Sequence, residues 1–137
     1  MSILIAADLI IEKDDKILLI RRGSEPFKGK LALPGGHLEY KKGEKLEEAA
    51  IREAKEETNI DVDLKKVFNV YSGKERDPRG YSISVVFIAK PLRGKPKAKS
   101  DAASLGWFDP KSLKKNMLAF DHYKIIKDYV KYKNSEK

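Results

Sequence analysis

The chain has 137 residues, with 29 lysines and arginines against 21 acidic residues, so its formal net charge is +8. It contains no cysteine, which excludes disulfide bonds, thiolate metal ligands and thiol nucleophiles. The length is that of one domain with its own core, residues 1–137, and no apolar run is long enough to cross a membrane as a helix.

The first predicted elements form a β-hairpin. Residues 2–12 and 17–22 are apolar and rich in β-branched side chains, and the charged residues 13–16 separate them. An apolar N-terminus can also be a signal peptide, but this one lacks a basic start and carries Asp8 in its middle. We therefore predict a buried strand and a cytoplasmic protein.

A basic loop and a pair of glycines follow the hairpin. Residues 21–30 are basic and are interrupted by glycine and proline, and residues 30–33 form a short apolar strand. Gly35 and Gly36 come directly after Pro34. They predict a sharp turn at which the backbone approaches another group closely.

The next element, a helix predicted over residues 45–58, ends in acidic residues. At about 100° per residue, Glu53, Glu56 and Glu57 lie on one face, which is apolar one to two turns earlier. Like charges at this spacing destabilise a helix, and a divalent cation would offset the repulsion. Because Mg²⁺ takes oxygen ligands and commonly binds with substrate phosphates, carboxylates beside a glycine loop predict a Mg²⁺ site.

Strands dominate the second half of the chain, and a helix ends it. Apolar patterns predict strands over 61–72, 81–89 and 105–108. Charged loops are predicted over 73–80 and 91–100. Asp109 and Pro110 are typical of the first residues of a short helix. Apolar residues at helical spacing predict a last helix over 121–132.

The central segment resembles the Nudix box, whose pattern is G-x5-E-x7-R-E-U-x-E-E-x-G-U. The matching residues are Gly36, Glu44, Arg52, Glu53, Ala54, Glu56, Glu57 and Ile60. The chain departs from the pattern twice. Seven residues, not five, separate Gly36 from Glu44, which is most simply an insertion of Lys41 and Lys42. Asn59 replaces the last glycine, and asparagine tolerates the left-handed conformation that a helix end needs.

The resemblance implies the Nudix fold, an α/β (α+β) architecture with a mixed β-sheet sandwiched between helices. It also implies a hydrolase that uses Mg²⁺, or alternatively Mn²⁺. The implied metal ligands are Gly35, Glu53, Glu56, Glu57 and Asp101, and the implied catalytic residues are Glu53, Glu56, Arg52 and Glu44. Arg52 would orient carboxylates through its planar guanidinium. Asp101 could instead be a general base, and the carboxylate that deprotonates water differs between subfamilies.

Two segments outside the box resemble the ADP-ribose pyrophosphatase branch: residues 76–80, RDPRG, and residues 118–122, LAFDH. They favour hydrolysis of ADP-ribose to AMP and ribose 5-phosphate, although a turn and a helix entry would also account for them. The alternatives are hydrolysis of oxidised nucleoside triphosphates or diadenosine polyphosphates, and a non-catalytic nucleotide-binding protein, which the retained carboxylates disfavour. No nucleic-acid-binding motif is present, and the resemblance suggests a homodimer.

Overall fold

Seven β-strands, two α-helices and three short 3-10 helices are formed by residues 3–136, the part of the chain that the computed structural model describes. The strands are β1 (Ile3–Lys13), β2 (Lys16–Arg22), β3 (Leu31–Ala32), β4 (Gly35–His37), β5 (Asp61–Asp77), β6 (Gly80–Arg93) and β7 (Ala102–Phe108). The α-helices are α1 (Leu46–Thr58) and α2 (His122–Ser135), and the 3-10 helices are Tyr40–Lys42, Pro110–Ser112 and Lys115–Met117. No helix within this range is long and apolar enough to cross a membrane.

The sheet is mixed because β1 runs parallel to β6, whereas its other pairings are antiparallel. The predicted hairpin is confirmed, but β1 and β2 pair only next to their turn, at Glu12 with Ile17 and Lys13 with Lys16. Farther along, β1 pairs with β4, and β2 pairs with β3 on one edge and β7 on the other. The two hairpin strands therefore separate, and the cleft described below lies between them.

A helix covers each face of the sheet, which confirms the predicted sandwich. Successive strand residues point to opposite faces, so Leu9 packs with α1 and Ile10 packs with α2. The side of α1 that faces the sheet carries three small, fully buried side chains, Ala49, Ala50 and Ala54. Their size lets the helix lie close to the strands, which brings its acidic end against β4.

Helix α1 begins and ends almost where the sequence predicts. Its last residue is followed by Asn59 in the left-handed conformation, with φ of 66°. The chain after β6 then returns to cap this end. Lys97 donates its backbone N–H to the Thr58 carbonyl at 2.9 Å, and Lys99 donates to the Glu57 carbonyl at 3.0 Å. These contacts satisfy carbonyls that a helix terminus leaves unpaired.

Two predicted irregular segments are strands instead. The predicted loop over 73–80 is wrong, because β5 continues to Asp77 and pairs there with Gly80. Cross-strand pairing overrides the weak strand preference of this charged stretch. The predicted turn at Gly35 and Gly36 is also wrong, because both residues belong to β4 and pair with β1. The loop predicted over 91–100 begins later, since β6 extends to Arg93.

Candidate active site

Arg52 joins the acidic residues at the outer side of α1. Its Nε and Nη2 donate to the two carboxylate oxygens of Glu44 at 2.6 and 3.0 Å, and its Nη1 donates to Glu56 at 3.2 Å. Nη2 also donates to the His37 carbonyl at 3.2 Å. The hydrogen bonds from Arg52 lower the pKa of Glu44. One guanidinium therefore connects the loop before the helix, the helix and β4.

Glu57 lies on the inner side of the same helix end. Its side chain is buried, with 8% of the residue exposed, and its Oε1 accepts the backbone N–H of Gly35 at 2.9 Å. Burial raises the pKa of Glu57 to about 8, and the negative charges of Glu53 and Asp8 act in the same direction. Carboxylates that oppose one another's ionisation would be stabilised by a cation between them.

Glu53 occupies the space that a side chain at Gly36 would need. A Cβ atom at Gly36 would overlap the Glu53 carboxylate, so this carboxyl group rests directly on the backbone of β4. The close approach predicted for the glycine pair is therefore present, although within a strand. Burial raises the pKa of Glu53 to about 7, against the opposing charge of Arg52.

Asp8 is a site residue that sequence reasoning missed. It is 6% exposed, sits on β1 against Gly35 and lines the cleft. Burial raises its pKa to about 6, although a hydrogen bond with Ser84 acts in the opposite direction. Its signal in the sequence is an acidic residue inside an otherwise apolar strand, which by itself indicates only that the segment is not a signal peptide.

The residues around the glycine pair fit a hard divalent cation. The acidic side chains and the Gly35 carbonyl offer oxygen atoms, the ligands that Mg²⁺ and Mn²⁺ prefer. In residues 3–136, however, no three acidic or histidine side chains already converge as a metal-ligand set. Glu56 is turned towards Arg52 and Glu57 towards the Gly35 N–H. The assignment of individual ligands stays a prediction.

Asp101 and the inserted lysines lie at the edges of this site. Asp101 is exposed, and its carbonyl accepts the backbone N–H of Gly23 at 2.9 Å, so its role as ligand or base stays a prediction. Lys41 and Lys42 extend an exposed 3-10 helix that ends at Gly43. The insertion leaves the contact between Glu44 and Arg52 intact.

The cleft beside Glu57 is lined by both segments that resemble the ADP-ribose pyrophosphatase branch. It has a cavity volume of about 70 Å³, is open to solvent, and lies between β1, β2, β4 and the start of α2. The Arg76 guanidinium, whose side chain is 9% exposed, donates two hydrogen bonds of 2.7 Å to Asp121. It also donates to the hydroxyl groups of Ser82 and Ser84 at 3.0 Å. A bidentate ion pair thus joins two segments that are far apart in sequence.

We expect the metal-free protein to lose stability as the pH rises from about 6.5 to 8.5. The folded state holds a proton on Glu57 up to a pKa of about 8 and on Glu53 up to about 7, whereas both ordinary values are 4.5. In this window the folded state binds more protons than the unfolded chain, so stability falls with rising pH. For Glu57 the loss is about 2 kcal/mol.

Thermal unfolding in EDTA across this pH range measures the effect. Below pH 6.5, His122 has the opposite effect on stability. Burial lowers its pKa to about 4, so as the pH falls the unfolded chain takes up a proton before the folded protein does, and stability decreases. Glu57→Gln isolates the contribution of Glu57: between pH 6.5 and 8.5 its stability should fall by about 2 kcal/mol less than that of wild type, and the loss that remains comes from Glu53. A wild-type protein whose stability rises between pH 6.5 and 8.5 would contradict the assigned environment.

Comparison with known proteins gives a consistent set of relatives. A family model described as NUDIX domain matches residues 3–129. An ADP-ribose pyrophosphatase of Methanocaldococcus jannaschii is 54% identical over 130 residues, which cover 95% of this chain and 75% of that protein.

Two solved structures resemble the fold closely. One is a bifunctional NMN adenylyltransferase/ADP ribose pyrophosphatase of Francisella tularensis in complex with AMP and a Mn ion. It superposes with a TM-score of 0.83 at 30% identity, over 96% of this chain and 42% of that one. The other is the NUDIX domain of Shewanella oneidensis NrtR in complex with ADP ribose. Its TM-score is 0.77 at 25% identity, over 96% of this chain and 89% of that one.

Proposed function

This chain belongs to the Nudix family, and we propose that it hydrolyses ADP-ribose to AMP and ribose 5-phosphate with the help of a divalent cation. The observation that carries the proposal is the ion pair between Arg76 and Asp121. It joins the two segments typical of the ADP-ribose branch and places them on one cleft with Glu57. The relative named ADP-ribose pyrophosphatase, at 54% identity, supports the same substrate.

In this proposal the cation is Mg²⁺, with Mn²⁺ as an alternative, and it is held at the glycine pair. Its ligands are the carboxylates of Glu53, Glu56 and Glu57 and the carbonyl of Gly35, with Asp101 as a further candidate. When bound there, a divalent cation neutralises charge on the diphosphate oxygens and activates water for attack on phosphorus.

The remaining residues orient the carboxylates and accept a proton. Arg52 fixes Glu44 and Glu56 through hydrogen bonds, so their carboxylates keep a defined direction. One carboxylate takes the proton that water loses as it attacks, and the candidates are Glu44, Glu53, Glu56 and Asp101. One P–O bond of the diphosphate breaks, and water supplies the oxygen of the new phosphate group. A homodimer and a cytoplasmic location stay predictions.

We expect kcat/KM for ADP-ribose to exceed that for 8-oxo-dGTP and for diadenosine tetraphosphate. The reason is that, in this proposal, the substrate binds in the cleft lined by the two segments that resemble the ADP-ribose pyrophosphatase branch. A panel of these substrates with Mg²⁺, in which the products are identified by chromatography, measures the preference. A tenfold preference for a triphosphate, about 1.4 kcal/mol of transition-state binding, would contradict the substrate assignment. Binding of ADP-ribose without any product would instead favour a non-catalytic protein.

A further inference from the structure

Phe120 is the aromatic residue in the wall of the cleft, and two arginines lie over its ring. The guanidinium carbon of Arg22 is 5.0 Å from the ring centroid, and that of Arg79 is 5.7 Å away. Phe27 packs against the same ring at 4.8 Å between centroids, with the planes inclined by 59°. Guanidinium groups within about 6 Å of an aromatic ring are attracted by its quadrupole. The ring therefore holds the two cationic groups near one another.

The backbone around Phe120 is fixed from both sides. Ala119 donates its N–H to the Leu31 carbonyl at 2.8 Å, and Asp121 is held by the bidentate ion pair with Arg76. Phe120 itself has φ of 53°, a left-handed conformation that is uncommon for a residue with a side chain. Such a conformation persists where the surrounding contacts impose it. The orientation of the ring is thus set by contacts on both flanks.

The positive charges of the two arginines are not equally neutralised by carboxylates. Arg79 forms a pair of hydrogen bonds with Asp77, at 3.0 and 2.8 Å. Arg22 donates its Nε to the Pro26 carbonyl at 2.6 Å, and within residues 3–136 no carboxylate forms an ion pair with it. Burial and the charge of Arg79 lower the pKa of Arg22. A half-buried cation that forms no ion pair with a carboxylate and lies next to a second cation is stabilised by a bound anion.

We infer that Phe120 is a positioning residue for substrate phosphates: its ring holds Arg22 and Arg79 side by side at the cleft, where both guanidinium groups bind the diphosphate anion. The inference rests on the proposed function, because it places the diphosphate of the substrate next to Glu57. Guanidinium groups bind phosphate oxygens with paired, directional hydrogen bonds, so their relative orientation matters. A change at Phe120 therefore acts on phosphate binding without removing a charge.

The binding of inorganic pyrophosphate to the metal-free protein tests this inference. We expect Phe120→Leu, which keeps apolar bulk but removes the ring, to weaken pyrophosphate binding about tenfold in calorimetric titrations in EDTA. Phe120→Tyr, which keeps the ring, should restore the affinity to within about twofold of wild type. Phe68→Leu is the matched control, because Phe68 packs against Tyr129 and Tyr132 and does not line the cleft. Equal affinities for wild type and Phe120→Leu would overturn the inference.

The arginines give a second measurement that does not depend on the folding of the Phe120 variants. Arg22→Ala and Arg79→Ala should each weaken pyrophosphate binding at least tenfold and flatten its salt dependence. Arg93→Ala is the control, since Arg93 is exposed and pairs with Asp61 at the far end of β6. Adding Phe120→Leu to Arg22→Ala should cause little further loss, because both changes remove the same arrangement. Additive effects, or single arginine variants that bind like wild type, would overturn the inference.

The failure of this inference can be distinguished from the failure of the proposed function. If another diphosphate compound is the substrate, pyrophosphate binding still depends on Phe120 and on the arginines, although ADP-ribose is not cleaved. If the inference is wrong, ADP-ribose is cleaved by Phe120→Leu with an unchanged KM, and the titrations of wild type and variant coincide. The inference also predicts that this variant raises KM more than it lowers kcat, which a loss of stability alone would not produce.

Discussion

Glu57→Gln should lower kcat for ADP-ribose by roughly 10³-fold or more while the fold survives. The amide keeps an oxygen that can accept the Gly35 N–H, so the contact between α1 and β4 is retained. It lacks the negative charge that the proposed metal site requires. Glu56→Gln should also reduce turnover by orders of magnitude, because Glu56 belongs to the same ligand set, although its side chain is 47% exposed and pairs with Arg52.

Steady-state kinetics measure the loss of turnover, and titration with Mn²⁺ measures the loss of metal affinity. Glu47→Gln is the matched control, because Glu47 is an exposed acid in the first turn of α1. It removes the same charge from the same helix and should leave both kcat and metal affinity near wild type. In the metal-free protein at neutral pH, Glu57→Gln should raise the melting temperature, since Glu57 must take up a proton on folding and glutamine need not. Near-normal turnover in this variant would show that the metal site is wrongly assigned.

Alanine substitutions at the two adjacent glycines should have different effects: Gly36→Ala should reduce activity, and Gly35→Ala should reduce stability. At Gly36 the new Cβ meets the Glu53 carboxylate, the flexible end of a side chain that can move aside. Gly36→Ala should therefore fold but lose activity by about two orders of magnitude, because Glu53 is displaced. At Gly35 the Cβ meets the Ala7 carbonyl and the Cα of Asp8, which are backbone atoms. Gly35→Ala should cost on the order of 3 kcal/mol of folding free energy.

Chemical denaturation and activity assays on both variants distinguish these outcomes. Gly29→Ala is the control, because Gly29 also has positive φ, at 87°, but a Cβ there has open space around it. Its expected cost is about 1 kcal/mol from backbone conformation alone. If Gly36→Ala keeps full activity, Glu53 does not act from its observed position. If Gly35→Ala is as stable as Gly29→Ala, the close contact between β4 and β1 is weaker than the geometry indicates.

Local features of the chain were predictable because their signals are local. The hairpin, α1 and the left-handed Asn59 follow from patterns of a few neighbouring residues. The strand conformation of residues 73–77 was not predictable, because it depends on pairing with β6. Glu53, Glu56 and Glu57 were found through helical spacing and a family pattern. Their ligand roles stay predictions.

The cleft was the least predictable part, since its residues meet only after folding. Arg22 ends β2, Arg79 lies in the turn before β6, and Phe120 precedes α2. Each alone has an ordinary explanation, as a surface charge or a core aromatic. Their contact depends on the sheet topology and on the Arg76–Asp121 ion pair, and neither leaves a periodic signal in the sequence. Asp8 was recognised as unusual, but its neighbours Gly35 and Ser84 come from other strands.

A closed set of contacts surrounds the Lys41–Lys42 insertion. Glu39 donates its N–H to Glu44, and Glu44 is held in turn by Arg52, so the two ends of the inserted turn are joined independently of what lies between them. Loop length costs little entropy once its ends are closed. A change in the number of residues in this loop should therefore leave the position of the helix unchanged. A fixed-spacing search pattern would reject chains with such a change, whereas a pattern anchored on the acid that pairs with Arg52 would retain them.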